Sequence, residues 1–229
     1  MTEDHTPPFI GDWLGALQPQ SLNDLVVDPA ATAIFSADMI NGFLHFGSLA
    51  SPRVRALAEP VASLCQRAWD LGVRQFVLLQ DSHHPDTPEF ETYPSHCEED
   101  SDESHTIPEL ASLPFANIFT VIEKNSLNPA IATGFDHWLD TNRQVATAIV
   151  VGDCTDLCTH QLAMHLRMRA NALNIKDFTV TVPANAVDTF DIPLDPESPA
   201  TSAHPGDFFH NVFLYHMAQN GIRVVTELT

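Results

Sequence analysis

Residues 146–171 read ATAIVVGDCTDLCTHQLAMHLRMRAN, and this stretch decides the fold. Residues 146–151 are apolar and rich in β-branched side chains, the composition of a strand buried on both faces. Gly152 and the polar run behind it end that strand. From 155 to 171 apolar positions return at helical spacing, and Thr155 or Asp156 can cap the helix. A strand that passes through a short polar loop into a helix is the repeating half of a parallel α/β sheet.

Working outward, the same alternation recurs. Runs at 32–36, 75–79, 117–122, 177–182 and 223–226 join 146–151 as six candidate strands. Helix-like segments at 52–71, 134–142 and 207–219 lie between them, with Leu57, Val61, Leu64, Ala68 and Leu71 marking one helix face. The predicted fold class is α/β, a three-layer α/β/α domain around a central parallel sheet of about six strands. Residues 1–30 contain prolines and are weakly periodic apart from a short amphipathic stretch around 13–17. They read as a lead-in segment packed on a neighbour, with 31–229 forming the domain proper.

Composition narrows the function. The chain has 229 residues, 44% of them hydrophobic, enough for the core of one enzyme-sized domain. Thirty acids against 10 Lys+Arg leave a formal charge of −20, which repels phosphate backbones and anionic headgroups and argues against nucleic-acid or membrane-surface partners. The longest apolar runs fall far short of the roughly 20 residues that cross a bilayer. The opening MTEDHTPPFIGD lacks the basic flank and apolar run of a secretory signal, which predicts a cytoplasmic protein. Cys65, Cys97, Cys154 and Cys158 are too few and too scattered for a disulfide framework, so free thiols are expected.

In open parallel sheets ligands bind beyond the carboxyl ends of the strands. Asp38 follows the first strand, Asp81 and His83 end the second, Lys124 follows the third, and GDCTDLCTH at 152–160 follows the fourth. Lys124 is one of only two lysines in the chain, which argues against surface decoration. Cys158 falls in the first turn of the capped helix, where unpaired N–H groups and the dipole favour a thiolate; the alternative is a buried cysteine packing as a small hydrophobe. Asp81, His83, Glu89 and His96 make an N/O ligand set suited to a divalent metal such as Zn, Fe, Mn or Co. They lie in the long irregular stretch 81–109, which holds ten of the 30 acids and four of the 12 histidines. A loop of that length in a compact domain is usually functional, although its part 98–104 reads as a solvated, partly disordered acidic loop. His84, His160 and His165 read as solvent-facing or packing residues rather than ligands.

Five motifs, DMINGF at 38–43, DSH at 81–83, YPSHC at 93–97, EKNSLNPAIATGF at 123–135 and VGDCTDLC at 151–158, resemble the cysteine-hydrolase superfamily of isochorismatases and nicotinamidases. The resemblance spans roughly residues 31–190. It implies an isochorismatase-like, Rossmann-like fold and a catalytic triad of Asp38, Lys124 and Cys158. The DxH followed by an aromatic-Pro-x-His-Cys segment is similar to nicotinamidases in particular. That likeness implies metal ligation by Asp81, His83, Glu89 and His96, with zinc expected and iron or manganese as alternatives. It further implies that Phe43 and Tyr93 sandwich a pyridine ring whose nitrogen the metal binds. A cis peptide before Cys154 is implied too, with the backbone N–H groups of Cys154 and Cys158 as an oxyanion hole.

The implied activity is hydrolysis of a small carboxamide through a cysteine thioester, nicotinamide to nicotinate and ammonia, placing the chain in NAD metabolism as a homo-oligomer. Two departures bear on the substrate. The Asp-x-Gln-Asn-Asp-Phe of nicotinamidases is Asp-Met-Ile-Asn-Gly-Phe here, and residues 191–205 do not match the compact nicotinamidase pattern. The competing expectations are an amidohydrolase for carbamoyl or maleamate-type substrates and a catalytically silent binding protein.

Overall fold

Successive side chains of a strand point to opposite faces, and the central strands accordingly divide their buried residues between two cores. A computed structural model describes residues 6–197, 199 and 202–229; the first five residues of the lead-in, and positions 198, 200 and 201 of the segment 191–205, lie outside the described residues. Its strands are β1 (Thr32–Ala37), β2 (Gln75–Asp81), β3 (Thr120–Lys124), β4 (Thr147–Asp153), β5 (Thr179–Pro183), β6 (Val187–Asp188) and β7 (Arg223–Val225). They form one sheet in the order β3-β2-β1-β4-β5-β7, with β6 paired to β4, and every pairing is parallel. The longer helices are α1 (Pro8–Gly15), α2 (Ala58–Asp70), α3 (Phe135–Thr141), α4 (Cys158–Ala172) and α5 (Gly206–Gln219).

Ile34, Phe76, Leu78, Ile149 and Val151 face one core together with Val61, Leu64 and Ala68 of α2. Phe35, Val77, Leu79 and Val150 face the other, shared with Phe135 of α3, Leu162 and Leu166 of α4 and Leu214 of α5. This is the three-layer α/β/α arrangement that the sequence pattern predicts. The lead-in packs through α1, where Phe9 and Trp13 meet Tyr215 of α5 edge-on at 5.7 and 5.3 Å. No helix among the described residues is long and apolar enough to cross a membrane.

Three elements differ from the sequence reading. The predicted helix 52–71 is two pieces, Pro52–Arg55 and α2, because Pro60 has no N–H to continue the ladder and fits only within a first turn. The strand expected from 117 starts at Thr120, since Ala116–Ile118 is a 3₁₀ turn. The two residues of β6 are too short to show a period; they pair Gly152 with Val187 and Asp153 with Asp188, beyond the Thr147–Ile149 stretch that β5 occupies.

Gly152 sits where β4 passes the end of β1. Its φ is +105°, and a Cβ there would lie 2.0 Å from the Ala37 carbonyl oxygen. Gly152→Ala is therefore expected to cost on the order of 3 kcal/mol or more in urea unfolding; a midpoint equal to that of the wild type would contradict the close approach.

Candidate active site

The carboxyl ends of β2 and β3 lie level, Asp81 being in register with Lys124, and β1 stops two residues short beside them, Ala37 being in register with Leu79. Asp38, the first residue beyond β1, takes a left-handed φ of +50°, a sparsely populated conformation for a non-glycine residue. Its N–H donates to Leu79 O at 2.9 Å, and its Oδ1 accepts the Asp81 N–H at 2.7 Å. From β3, Lys124 Nζ lies 2.9 Å from Asp38 Oδ2, hydrogen-bonds Asp81 Oδ1, and stands 3.4 Å from the sulfur of Cys158, the first residue of α4. All four residues are buried.

Charge in this site is set by pairing against burial. Burial opposes the ammonium of Lys124, but Asp38 and Asp81 outweigh it and hold the group charged. Burial also pushes Asp81 up, and Lys124 and His83 more than reverse that, keeping it a carboxylate. Asp38 is raised to about 6 by burial and by Asp81, against the pull of Lys124.

Cys158 departs from expectation: burial and the neighbouring Asp38 push its thiol well up, and Lys124 only moderates the rise. The expected cap is absent as well, because Leu157 occupies the N-cap position without a side-chain hydrogen bond. Thr155 instead bonds His210 at 2.9 Å, and Asp156 accepts from His204 at 2.8 Å. A buried sulfur with an oxygen of Asp38 and of Asp81 within 4.8 Å thus rests as a thiol. The Asp153–Cys154 peptide is cis, as the family resemblance implies. Among the described residues no backbone carbonyl accepts from the N–H of Cys154 or Cys158, leaving both donors available beside the sulfur.

A second cluster adjoins the first. Asp81, His83 and His96 are buried and place one ligand atom each within 4.8 Å of one another. His83 Nδ1 is 3.1 Å from Asn125 Oδ1, and His96 Nδ1 is 2.8 Å from Pro94 O. Each partner oxygen accepts a hydrogen bond from Nδ1–H, so in the neutral ring the Nε2 lone pair is left free, the arrangement that presents imidazole to a metal. His83 Nε2 and Asp81 Oδ2 are both buried without a hydrogen-bond partner, and Glu89 Oε1 stands 3.8 Å from His83 Nε2. Burial opposes protonation of both rings; Asp81 nonetheless raises His83, whereas His96 stays lowered. Orphaned donors of this kind fit a divalent ion.

Both clusters open into a cavity of about 350 Å³ lined by Phe43, Tyr93, Asp81, Glu89, His96, Cys154 and Cys158. Phe43 and Tyr93 both reach His96, at ring distances of 5.6 and 6.3 Å. Every residue singled out in the sequence is therefore present at one site. The acidic run 98–104, expected to be solvated and partly disordered, does leave Glu99, Asp100 and Asp102 exposed but is tied into the site: Glu103 accepts the Cys97 N–H at 2.9 Å, Asp102 O accepts from Asn41, and Glu99 N donates to His83 O. Backbone pairing with the metal-ligand loop holds this stretch despite its charge.

The sequence reading missed five participants. Asn125, next to Lys124, orients His83. Asp153 lines the cavity, and burial and Asp38 push its carboxyl well above the usual range. Phe190, Ile192 and His204 supply part of the cavity wall, and no local pattern marks them, because they reach the site only through tertiary folding.

This fold and site belong to a family of hydrolases. The family profile described as the Isochorismatase domain matches residues 32–227, and the chain is a member of the isochorismatase family. It is 29% identical over 219 residues to Nicotinamidase 1 of Arabidopsis thaliana, covering 87% of each chain. Among solved structures it is similar to a cysteine hydrolase from Pseudomonas syringae pv. phaseolicola (TM-score 0.71, 20% identity, 87% of this chain and 90% of that one). It is also similar to the pyrazinamidase of Pyrococcus horikoshii in complex with zinc (TM-score 0.65, 20% identity, 85% of this chain and 98% of that one).

Elemental analysis of protein purified without chelator is expected to find about one divalent metal per chain, lost in His83→Ala and in His96→Ala. Asn125→Ala should keep the ligands and weaken metal affinity about 10- to 100-fold, the usual cost of losing a partner that orients a ligand. Equal metal content in all three variants would place the ion elsewhere.

Proposed function

We propose that the protein is a cysteine-dependent amidohydrolase that converts nicotinamide, or a closely related uncharged heteroaromatic carboxamide, to the carboxylate and ammonia. The observation that carries this reading is the contact of Lys124 with Asp38, Asp81 and Cys158 on the floor of a cavity whose wall holds orphaned metal-type donors. The 29% identity to a nicotinamidase supports the substrate class.

The chemistry follows from the charges. Asp38 accepts the Cys158 thiol proton as the sulfur attacks the carboxamide carbon, and Lys124 stabilises the developing thiolate from 3.4 Å. The N–H groups of Cys154 and Cys158 receive the oxyanion. Asp38 then passes its proton to the departing ammonia, leaving an acyl thioester on Cys158. As a base, it next activates the water that cleaves the thioester and restores the thiol. Lys124 keeps Asp38 and Asp81 in place throughout. Asp81, His83 and His96, with Glu89 beside them, would hold a divalent ion, and zinc is the assignment that the likeness to the zinc-bound pyrazinamidase supports. When bound, such an ion supplies a Lewis-acid site that fixes a ring nitrogen of the substrate. Phe43 and Tyr93 flank the ring.

Charge also favours an uncharged amide over the carbamoyl and maleamate-type alternatives. The described residues lining the cavity include Asp81, Glu89 and Asp153 but no Arg or Lys, and both nitrogens of His204 are engaged by Asp156 and Phe190 O, so beyond a bound metal a substrate carboxylate would meet no cationic side chain facing it.

Purified protein is expected to release ammonia from nicotinamide, and Cys158→Ala is expected to lose on the order of 10³-fold or more in kcat while keeping its metal. Full residual activity in that variant would remove Cys158 as nucleophile. Metal-loaded wild type that releases no ammonia from nicotinamide would overturn the substrate assignment and leave the cysteine chemistry to be tried on other small amides. Alkylation should also single out Cys158, which lines the cavity, over Cys65, which lies on α2 within the core; equal rates would favour the silent binding protein.

A further inference from the structure

Asp156 and His204 take no part in the chemistry above, yet they join the nucleophile loop to the far wall of the cavity. His204 Nε2 lies 2.8 Å from Asp156 Oδ2 across 48 residues of sequence, and His204 Nδ1 lies 2.9 Å from Phe190 O. A backbone carbonyl can only accept a hydrogen bond, so Nδ1–H donates to it. Asp156 is buried, which would raise its carboxyl, but His204 more than reverses this and holds it low, so Nε2–H donates to a carboxylate.

Both ring nitrogens of His204 are thus engaged, one by Asp156 and the other by the Phe190 carbonyl. Its two faces are covered by Phe190 at 3.9 Å and 23° and by Phe209 of α5 at 4.4 Å and 15°, both stacked arrangements. The His204 backbone exchanges two hydrogen bonds of 2.8 Å with Ile192. Gly206, at the start of α5, donates to Asp191 Oδ1 at 2.7 Å.

We propose that His204 is a positioning residue: clamped by Asp156 and sandwiched between Phe190 and Phe209, it holds residues 190–192 in place as the apolar wall of the substrate cavity. The clamp acts on substrate fit rather than on bond making, because neither nitrogen of His204 is free to face a ligand. Phe190 and Ile192 line the same cavity as Cys158, Phe43 and Tyr93, so a displaced wall loosens the grip on the ring without moving the sulfur. The wall also belongs to the region that departs from the nicotinamidase pattern, which makes it a feature of this chain's own specificity.

His204→Phe preserves the ring stack and removes both side-chain hydrogen bonds. Hydrogen exchange on the full-length protein is expected to show the amides of Ile192 and His204 exchanging at least about tenfold faster in this variant, with those of β1 and β4 unchanged. With nicotinamide as substrate, KM is expected to rise about tenfold while kcat stays within about twofold. Asp156→Asn, which keeps the side-chain shape and removes the charge, should shift both readouts in the same direction and serves as the test if His204→Phe does not fold.

Unchanged exchange at Ile192 and His204 overturns the clamp. Faster exchange with a fall in kcat at constant KM overturns the role in substrate fit. The kinetic arm rests on the carboxamide reading and the exchange arm does not. A wild type inactive on nicotinamide whose variant still shows selective faster exchange therefore keeps the clamp and discards only the substrate.

Discussion

The structure depends on one buried ammonium. Taking a lysine out of water costs several kcal/mol unless anions meet it with good geometry, and Lys124 is met by Asp38 and Asp81, with Cys158 within reach. Each group is delivered by a different strand end, so the site exists only if β1, β2 and β3 lie side by side in the observed order. The pairing of Asp81 with Lys124 also requires this register, since a slip of one residue would turn a whole strand's side chains to the opposite face. The chemistry and the sheet are thus one constraint.

The same balance sets the protonation of everything around it. Asp38, Asp81 and Asp153 are three buried carboxyl groups near one lysine. Two of them contact the ammonium; Asp153 does not, and burial and Asp38 push its carboxyl well above the usual range. The thiol is kept protonated by the same surplus of negative charge, which gives Asp38 a proton to accept. The helix start contributes N–H donors beside the sulfur; it does not make a resting thiolate. Burial among carboxylates outweighs a dipole effect of at most about 2 kcal/mol.

Loops complete what the sheet begins. The stretch 81–109 returns to the site through His83, Glu89, Tyr93 and His96, and its acidic part, though partly exposed, is pinned by hydrogen bonds. On the opposite wall, residues 190–192 are held by a histidine fixed on four sides. Rigid sheet ends place the reacting atoms, and two anchored loops shape the space in front of them, the usual division between scaffold and loops.

Much of this was legible in the sequence, because the signals are local. Buried parallel strands are continuous apolar runs, and the residue that follows such a run lies at the binding edge of the sheet; Asp38, Asp81, Lys124 and Cys158 could all be picked out on that ground. The DxH and the later Glu89 and His96 announced a ligand set by side-chain type alone. Other features were decided only by the tertiary structure. Cys158 was read as an activated thiolate because its helix position is a local property, whereas its burial and its carboxylate neighbours are not. The tautomers of His83 and His96 depend on Asn125 Oδ1 and Pro94 O, and the His204 clamp joins residues 48 apart. Sequence order determines which groups are available, while desolvation and contacts between distant segments determine the charge each carries and what it can do.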